Sequence, residues 1–541
     1  MENINASLKA SAHGRSLLLR ISNAFARNPF AFPLVLFIAL LTKTFILNIR
    51  FGMPDIEDDA FYYIVIAKNI AETSLSTFDG AMLTNGYHPL WTAILAAWIY
   101  FFGDAIIPIK FLEALILSIS LYYLIRLIQP ANILSQAIAF GFFYYAVNAT
   151  SYMGMETTIL FLAYTALIVV LSSYTHFIAD NRGLVAGAAA VLCIAAQIEA
   201  AVFVIPVLIL TLPSNKDRIY GLAMIGAAGI GYAVANQVVF GTPAPISGEI
   251  KSFGGFHVNE LFIEQLRSEG FKGILTGNYA TVVVFYISSL AFLLSSFVNK
   301  QTKLIIVGLE LGLLVFIVKL AFFSSWRVWE WYRFPIYLIV VPALIAGQDL
   351  LRQRNSQWRS GTPERSKFHG LNLALLGIAV MMGVIWPAYR TARALAYNQK
   401  MNFYDVNEEV AYQYRSVFGS SLVAMGDRAG SFAYYNGGHV LQLEGLVNDK
   451  AYSEMLRTAS DATEYLCRHD VKFVVDYDRD LGDYGGHSVD IFKAKLTSFK
   501  GPKIPFSKED EVGRYVNLAL YDNSRSDVGD NYIYVWRLDC H

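Results

Sequence analysis

Charge is what this sequence has least of. Only 16% of its 541 residues are Asp, Glu, Lys or Arg, against about 25% in an average soluble protein, and 55% are hydrophobic. That balance excludes an ordinary soluble domain and marks a membrane protein. The charges that do occur cancel, 43 basic against 43 acidic, which removes the field that nucleic acid or an acidic surface would need. No nucleic-acid partner is expected. Cysteine is nearly absent: Cys193, Cys467 and Cys540 match no metal-ligand spacing and no dense disulfide framework. A glycine-rich phosphate loop is missing too. The stretch "GDRAGS" at 426–431 has neither GxGxxG spacing nor a Lys-Ser/Thr pair, so a plain strand turn explains it better than nucleotide binding.

Long apolar runs, by contrast, fill the chain up to residue 387. Arg15, Arg20 and Arg27 precede "FAFPLVLFIALLTKTFILNI", too long for a signal-peptide core and without a small-residue cleavage site, so it reads as an uncleaved first span with a cytoplasmic N-terminus. Further runs cover 157–177, 219–239, 281–298, 303–323, 334–348 and 369–387. The run 184–212 is interrupted by Gln197 and Glu199 and reads as two short spans meeting at a polar turn that lines a cavity or reaches an interface. Three runs lie between His88 and Glu156 (89–102, 106–128 and 131–149), although parity allows only an even number of passes. The 14-residue run 89–102 is the first candidate for a partial or interfacial helix. The total is about eleven spans. Basic loops at 214–218, 299–303 and 348–367 all fall on the N-terminal side, which makes that side cytoplasmic.

The expected architecture is a cytoplasmic segment 1–30, a polytopic α-helical membrane domain 31–387 with a first outer loop at 50–88, and an extracytoplasmic α/β domain 388–541. "SLVAMGD", "GHVLQLEG", "VKFVVDYD" and "NYIYVWRLD" have strand character, while 402–417 and 450–468 have helical spacing.

Acid gathers where the first outer loop opens. In "PDIEDDAFYYIVIAKNI", Glu57, Asp58 and Asp59 precede an apolar face of Phe61, Tyr62, Val65, Ile66 and Ile70, with Lys68, Asn69 and Glu72 off it. This predicts an amphipathic helix lying on the membrane, its N-terminal carboxylates favoured by the helix dipole. One of the two aspartates could simply cap the helix; three acids exceed what a cap requires. The loop closes in "LTNGYHPLW", where Asn85-Gly86 turns the chain and His88 either hydrogen-bonds at the interface or takes part in chemistry.

The order and common sidedness of "DDAFYYIVIAKNI", "LTNGYHPLW", "GMET", "QIEA", "FGTPAPISGEIKS" and "GDRAGSFAYYNGGHVLQLEGLVND" resemble bacterial GT-C glycosyltransferases over about residues 30–475. The likeness is to branches containing the mycobacterial arabinofuranosyltransferases and, more distantly, aminoarabinose and protein mannosyltransferases. It implies an inverting enzyme of the bacterial inner membrane that takes a sugar from a polyprenyl-phosphate donor. The acceptor would be a cell-envelope glycan, lipid or protein at the outer face. It implies a catalytic carboxylate at Asp58 or Asp59, leaves a divalent metal open and requires no certain cofactor. Of the two aspartates, Asp58 is favoured, because it begins the motif. In this chain Gln197 stands where an Arg is expected before Glu199, leaving Glu199 without that partner.

Sugar transfer from a lipid phosphate independently needs a base for the acceptor proton and cations for the leaving phosphate. Lys251, Arg327 and Arg333 share the face of the acids, with Arg333 the preferred phosphate ligand because a guanidinium grips phosphate bidentately; snorkelling is the simpler reading of Arg327. Trp326, Trp329, Trp331 and Tyr332 could stack on sugar or the polyprenyl chain, or form an interface belt. His88, Glu156 and Glu199 complete the candidate substrate contacts. The main rival, a transporter or flippase for a lipid-linked sugar, would place its charges at mid-membrane; Lys319 and Gln197 are the residues that would support it. A hydrolase or phosphoethanolamine-type transferase would need a metal cluster in the soluble part. His439, His469, His487 and His541 are too scattered for that. Cys467 and Cys540, both in the outer domain, could bond in an oxidising compartment.

Overall fold

The structure is a computed structural model that describes residues 28–51, 56–128, 133–150, 152–172, 180–276, 279–326, 328–358, 403–458, 461–479, 487–492, 501–518 and 531–540. The expected span 369–387, the boundary at 388 and Arg327 lie outside the described residues. Among those residues, five helices are long and apolar enough to cross a membrane: α1 (Ala31–Phe51), α4 (Ile106–Ile128), α9 (Asn215–Phe240), α13 (Lys300–Phe322) and the Trp331–Leu350 stretch of the 3-10 turn Glu330–Arg333 and α14 (Pro335–Trp358). Shorter apolar helices include α3 (Pro89–Phe102), α6 (Thr157–Ser172), α7 (Arg182–Ala196), α8 (Ala201–Thr211) and α12 (Tyr279–Leu294); α5 (Ile133–Thr150) and α11 (Glu260–Thr276) also pack into the bundle.

Local signals set these ends. Ser214 and Asn299, inside two of the basic loops, accept hydrogen bonds from the amides of Asp217 (3.1 Å) and Thr302 (2.8 Å) and so cap α9 and α13. Pro89 occupies the first turn of α3, where its missing N–H costs nothing. At 14 residues, α3 is about 21 Å long, short of a ~30 Å hydrocarbon core. Helices α7 and α8 form a hairpin, since Gly183 at the start of α7 and Leu208 and Leu212 at the end of α8 all pack against Gly221 of α9. Its turn, Gln197–Ala200, therefore sits at the opposite end of the pair.

The C-terminal domain is α/β. Its five-stranded sheet runs β2-β1-β3-β7-β6: β1 (Leu422–Met425) lies parallel to β2 (Val440–Gln442) and β3 (Val471–Arg479), whereas β7 (Asn531–Arg537) is antiparallel to β3 and to β6 (Glu511–Leu518). Val423 faces Val440, and Val475 faces Val535. Helices α15 (Phe403–Gln413), α16 (Arg415–Phe418), α17 (Ala429–Tyr435), α18 (Lys450–Thr458) and α19 (Thr463–Arg468) surround it, and β4 (His487–Asp490) and β5 (Lys503–Phe506) form a separate ribbon. Cys467 and Cys540 are bonded.

The helix expected on the membrane surface is α2 (Asp58–Thr73), but its setting differs. Every residue from Ala60 to Ala67 is buried. Phe61, Tyr63, Ile64 and Ala67 enter the membrane-domain core, and Tyr62, Val65 and Ile66 enter the C-terminal core. The sequence pattern records one apolar stripe because both cores take apolar side chains. The helix is therefore clasped between domains instead of resting on lipid.

Candidate functional site

Where α2, the α7–α8 turn and the C-terminal domain meet there is a cavity of about 420 Å³. Asp59, Tyr62 and Tyr63 of α2 form one wall; His88, Glu156 and Glu199 another; Lys251, Lys319, Trp331 and Tyr332 a third; Leu446 and Val447 of the C-terminal domain also line it. Seven residues singled out in the sequence as site candidates are thus brought together. Asp58 and Arg333 are not among the lining residues.

Asp58 turns the other way. Its carboxylate accepts hydrogen bonds from the amides of Gly430 (3.1 Å) and Ser431 (2.9 Å) and from the Ser431 hydroxyl (2.6 Å). These donors open α17 in the "GDRAGS" stretch, after Arg428 in the left-handed conformation (φ 64°). The loop does cradle an anion, but the anion is the chain's own carboxylate. A Cβ on Gly430 would lie 2.3 Å from the Asp58 carbonyl oxygen, so only glycine permits the approach. Burial raises the Asp58 pKa above the usual carboxylate range, partly offset by the Ser431 donors. Asp58 and Asp59 are adjacent on a helix, about 100° apart, so holding Asp58 against α17 leaves Asp59 aimed at the cavity. Of the two candidate bases, Asp59 lines the cavity and Asp58, the one favoured from the sequence, does not.

Arg333 is likewise displaced from its expected place: it is buried at 6% exposure, in the 3-10 turn that presents Trp331 and Tyr332. The cations at the cavity are lysines. Lys251 ends the short helix α10 (Ile246–Lys251) and its Nζ lies 3.4 Å from the Tyr332 hydroxyl. Burial opposes its charge, but Tyr332 and the carboxylates of Asp59 and Glu199 outweigh burial and hold its pKa above the ordinary lysine value. Asn85 fixes this helix: its Oδ1 accepts the Ile246 amide (3.0 Å), and its Nδ2 donates to Asn236 Oδ1 (3.0 Å) and to the Ala244 carbonyl (3.1 Å). The Asn-Gly pair read as a simple turn is the anchor of the lysine-bearing helix.

Glu199 has a cation after all. Lys319, from the last turn of α13, donates to Glu199 Oε1 at 3.0 Å, so the absent Arg at position 197 is replaced from another helix. In the sequence Lys319 is only a mid-membrane charge, and nothing local pairs it with a residue 120 positions away. His88 stands between the acids, with Nε2 3.7 Å from Glu156 Oε1 and 4.0 Å from Glu199 Oε2. Its Nδ1 accepts the Ile198 amide at 3.4 Å, which leaves Nε2 as the proton-bearing nitrogen facing both carboxylates. Trp331 stacks on Trp329 with centroids 6.0 Å apart. Among the described residues, no three His, Cys, Asp or Glu side chains assemble in metal-holding geometry.

No family model matches the sequence, and no curated protein matches it. Solved structures do match the fold. ArnT from Cupriavidus metallidurans in the apo state aligns over 93% of this chain and 97% of its own, at 10% identity and TM-score 0.51. The same protein bound to undecaprenyl phosphate aligns over 94% and 98%, at 10% identity and TM-score 0.50. The archaeal oligosaccharyltransferase AglB from Archaeoglobus fulgidus, with an inhibitory peptide and a dolichol-phosphate, covers 82% of this chain and 69% of its own at 10% identity and a lower TM-score of 0.46. The chain therefore shares the fold of the Cupriavidus metallidurans ArnT structures: a helical part with apolar helices long enough to cross a membrane, carrying a C-terminal α/β domain.

Proposed function

We propose that the chain transfers a sugar from a polyprenyl-phosphate donor to a hydroxyl of a cell-envelope glycan, lipid or protein. The observation that carries this reading is one cavity holding the Asp59 carboxylate together with the Lys251 and Lys319 ammonium groups. The donor phosphate binds at Lys251 and Lys319, where charge-assisted contacts hold the charge that grows as it leaves. Asp59 takes the acceptor hydroxyl proton as that oxygen attacks the anomeric carbon. A new carbon–oxygen bond forms, the bond to phosphate oxygen breaks, its electron pair leaves with the lipid phosphate, and the configuration inverts. The leaving group is already a weak base and needs no general acid. His88, Glu156 and Glu199 face the sugar hydroxyls, and Trp331 and Tyr332 supply an aromatic wall. The Cys467–Cys540 bond favours an oxidising compartment for the C-terminal domain, opposite the basic loops; this supports work at the outer face of a bacterial inner membrane. The test is transfer by the purified protein in nanodiscs from a panel of polyprenyl-phosphate sugars to envelope acceptors. Asp59→Asn should lower kcat about 10²-fold or more with polyprenyl-phosphate binding intact; undiminished transfer by this variant refutes the assignment of the base.

A further inference from the structure

A second pair of charges lies near the site without lining it. Lys110 and Glu113, one turn apart in α4, are completely buried, with Nζ 2.7 Å from Glu113 Oε2. In the sequence they interrupt an otherwise apolar span. Ionisable groups in such a segment cost free energy even when paired, and apolar residues of similar size would fill the space at less expense. Their other partners supply a reason for them. Glu113 Oε1 accepts the Gly154 amide (2.9 Å) and the Thr158 hydroxyl (2.9 Å), while Lys110 donates to the Tyr152 carbonyl (3.2 Å) and lies 3.5 Å from the centre of the Tyr152 ring.

The pair thus grips both sides of one short segment, residues 152–158, and that segment carries Glu156. Other contacts tie the same segment to the start of α2 and to α3: the Glu57 amide, just before α2, donates to the Met153 carbonyl (3.0 Å), and the buried Trp91 indole of α3 donates to the Gly154 carbonyl (3.0 Å). Gly154 has φ +82°, and a Cβ there would come 2.6 Å from the Cβ of Ala60, the residue after Asp59. The segment is pressed against the first turn of α2. Two cavity carboxylates, Asp59 and Glu156, are therefore set by one strip of backbone that the buried ion pair holds.

The geometry points to Lys110 and Glu113 as positioning residues that fix Asp59 and Glu156 relative to each other. This inference rests on the transferase reading for its kinetic arm alone. Misplacement of reacting groups by about 1 Å costs on the order of 10²-fold in rate. The perturbation is the double replacement Lys110→Met with Glu113→Leu, since exchanging a whole buried pair for apolar residues generally preserves folding where removing one partner does not. Lys110→Met with Glu113→Gln is the rescue, because the glutamine carbonyl can still accept the Gly154 amide and the Thr158 hydroxyl. Both are studied in nanodiscs as the full chain, with polyprenyl phosphate as the binding probe.

In the Met/Leu variant, amide hydrogen exchange over 152–157 should rise at least about tenfold while exchange in the C-terminal sheet is unchanged. Polyprenyl-phosphate affinity and donor KM should stay within about twofold, kcat should fall about 10²-fold, and the Met/Gln variant should recover most of the kcat. Unchanged exchange over 152–157 in the folded Met/Leu variant overturns the inference whether or not sugar transfer is seen. Raised exchange with undiminished kcat, or a Met/Gln variant as impaired as Met/Leu, overturns it as well. Wild-type protein that binds polyprenyl phosphate but transfers no sugar from any donor sinks the transferase reading instead; the exchange data then decide the positioning role.

Discussion

Replacing Asp58 should loosen the joint between the two domains while sparing most of the chemistry. Asp58→Ala strands three donors: the Gly430 amide, the Ser431 amide and the Ser431 hydroxyl. The hydroxyl can turn to the Arg428 carbonyl, already 3.4 Å away, so two backbone amides bear the loss. At about 1–3 kcal/mol for each buried donor left unpaired, and with neighbours not strictly additive, the cost is about 2–5 kcal/mol. Ser431→Ala removes one of the three donors and leaves Asp58 its two amides, so it should cost about 1–2 kcal/mol. Amide exchange at Gly430 and Ser431, measured on the full chain in nanodiscs, should accelerate about 30- to 4,000-fold in Asp58→Ala at 1.4 kcal/mol per decade.

Protonation gives an independent check. Burial raises the Asp58 pKa in the folded state above its unfolded value, so between the two values the folded chain binds more protons. This group's contribution to stability is present at acid pH and is lost as pH rises through the raised value. Asp58→Asn should flatten that part of the stability–pH curve. Unchanged exchange in Asp58→Ala would refute the latch. A kcat loss in Asp58→Asn as deep as in Asp59→Asn would refute the division of labour between the two aspartates.

Lys251→Met should weaken polyprenyl-phosphate binding by about 1.5–3 kcal/mol, the range for hydrogen bonds to charged groups, measured by lipid titration; Arg333→Met should leave that affinity within about twofold, since Arg333 does not line the cavity. Asn85→Ala takes away the hold on α10 and should raise donor KM more than it lowers kcat in steady-state transfer. Joint replacement of Cys467 and Cys540 by Ser opens a link across 73 residues and should destabilise the C-terminal domain by about 2–5 kcal/mol in denaturant titration, with kcat unchanged while the chain remains folded.

What the sequence made legible was local. Apolar runs disclose helices because lipid demands length and hydropathy at once, and "VKFVVDYD" and "NYIYVWRLD" disclose strands because β-branched and aromatic residues crowd them. The clustering of acids at 57–59, with His88, Glu156 and Glu199 on the same face, marked the neighbourhood of the site. Choices between near neighbours were not legible. Asp58 and Asp59 have almost the same sequence surroundings, and the contact that separates them comes from Gly430 and Ser431. Lys251 over Arg333, and Lys319 as the partner of Glu199, are decided by how helices pack, which no spacing encodes. The buried role of Lys110 and Glu113 is invisible for the same reason: within "IIPIKFLEALILSIS" they are simply two exceptions to an apolar run.

The clasped position of α2 has a consequence for biosynthesis. Its anchor residue Asp58 and the amide of Gly430 are 372 positions apart. A ribosome adding about 5–20 residues per second needs about 20–75 s to make the second after the first. During that interval Tyr62, Val65 and Ile66 have been synthesised, but most of the core that covers them, everything it draws from residue 406 onward, is still incomplete. Until the C-terminal sheet is made, this apolar face must rest against lipid or a chaperone. Chains stalled or truncated before residue 430 would leave it only partly covered, a ready target for quality-control proteases on the side of the membrane where the C-terminal domain folds.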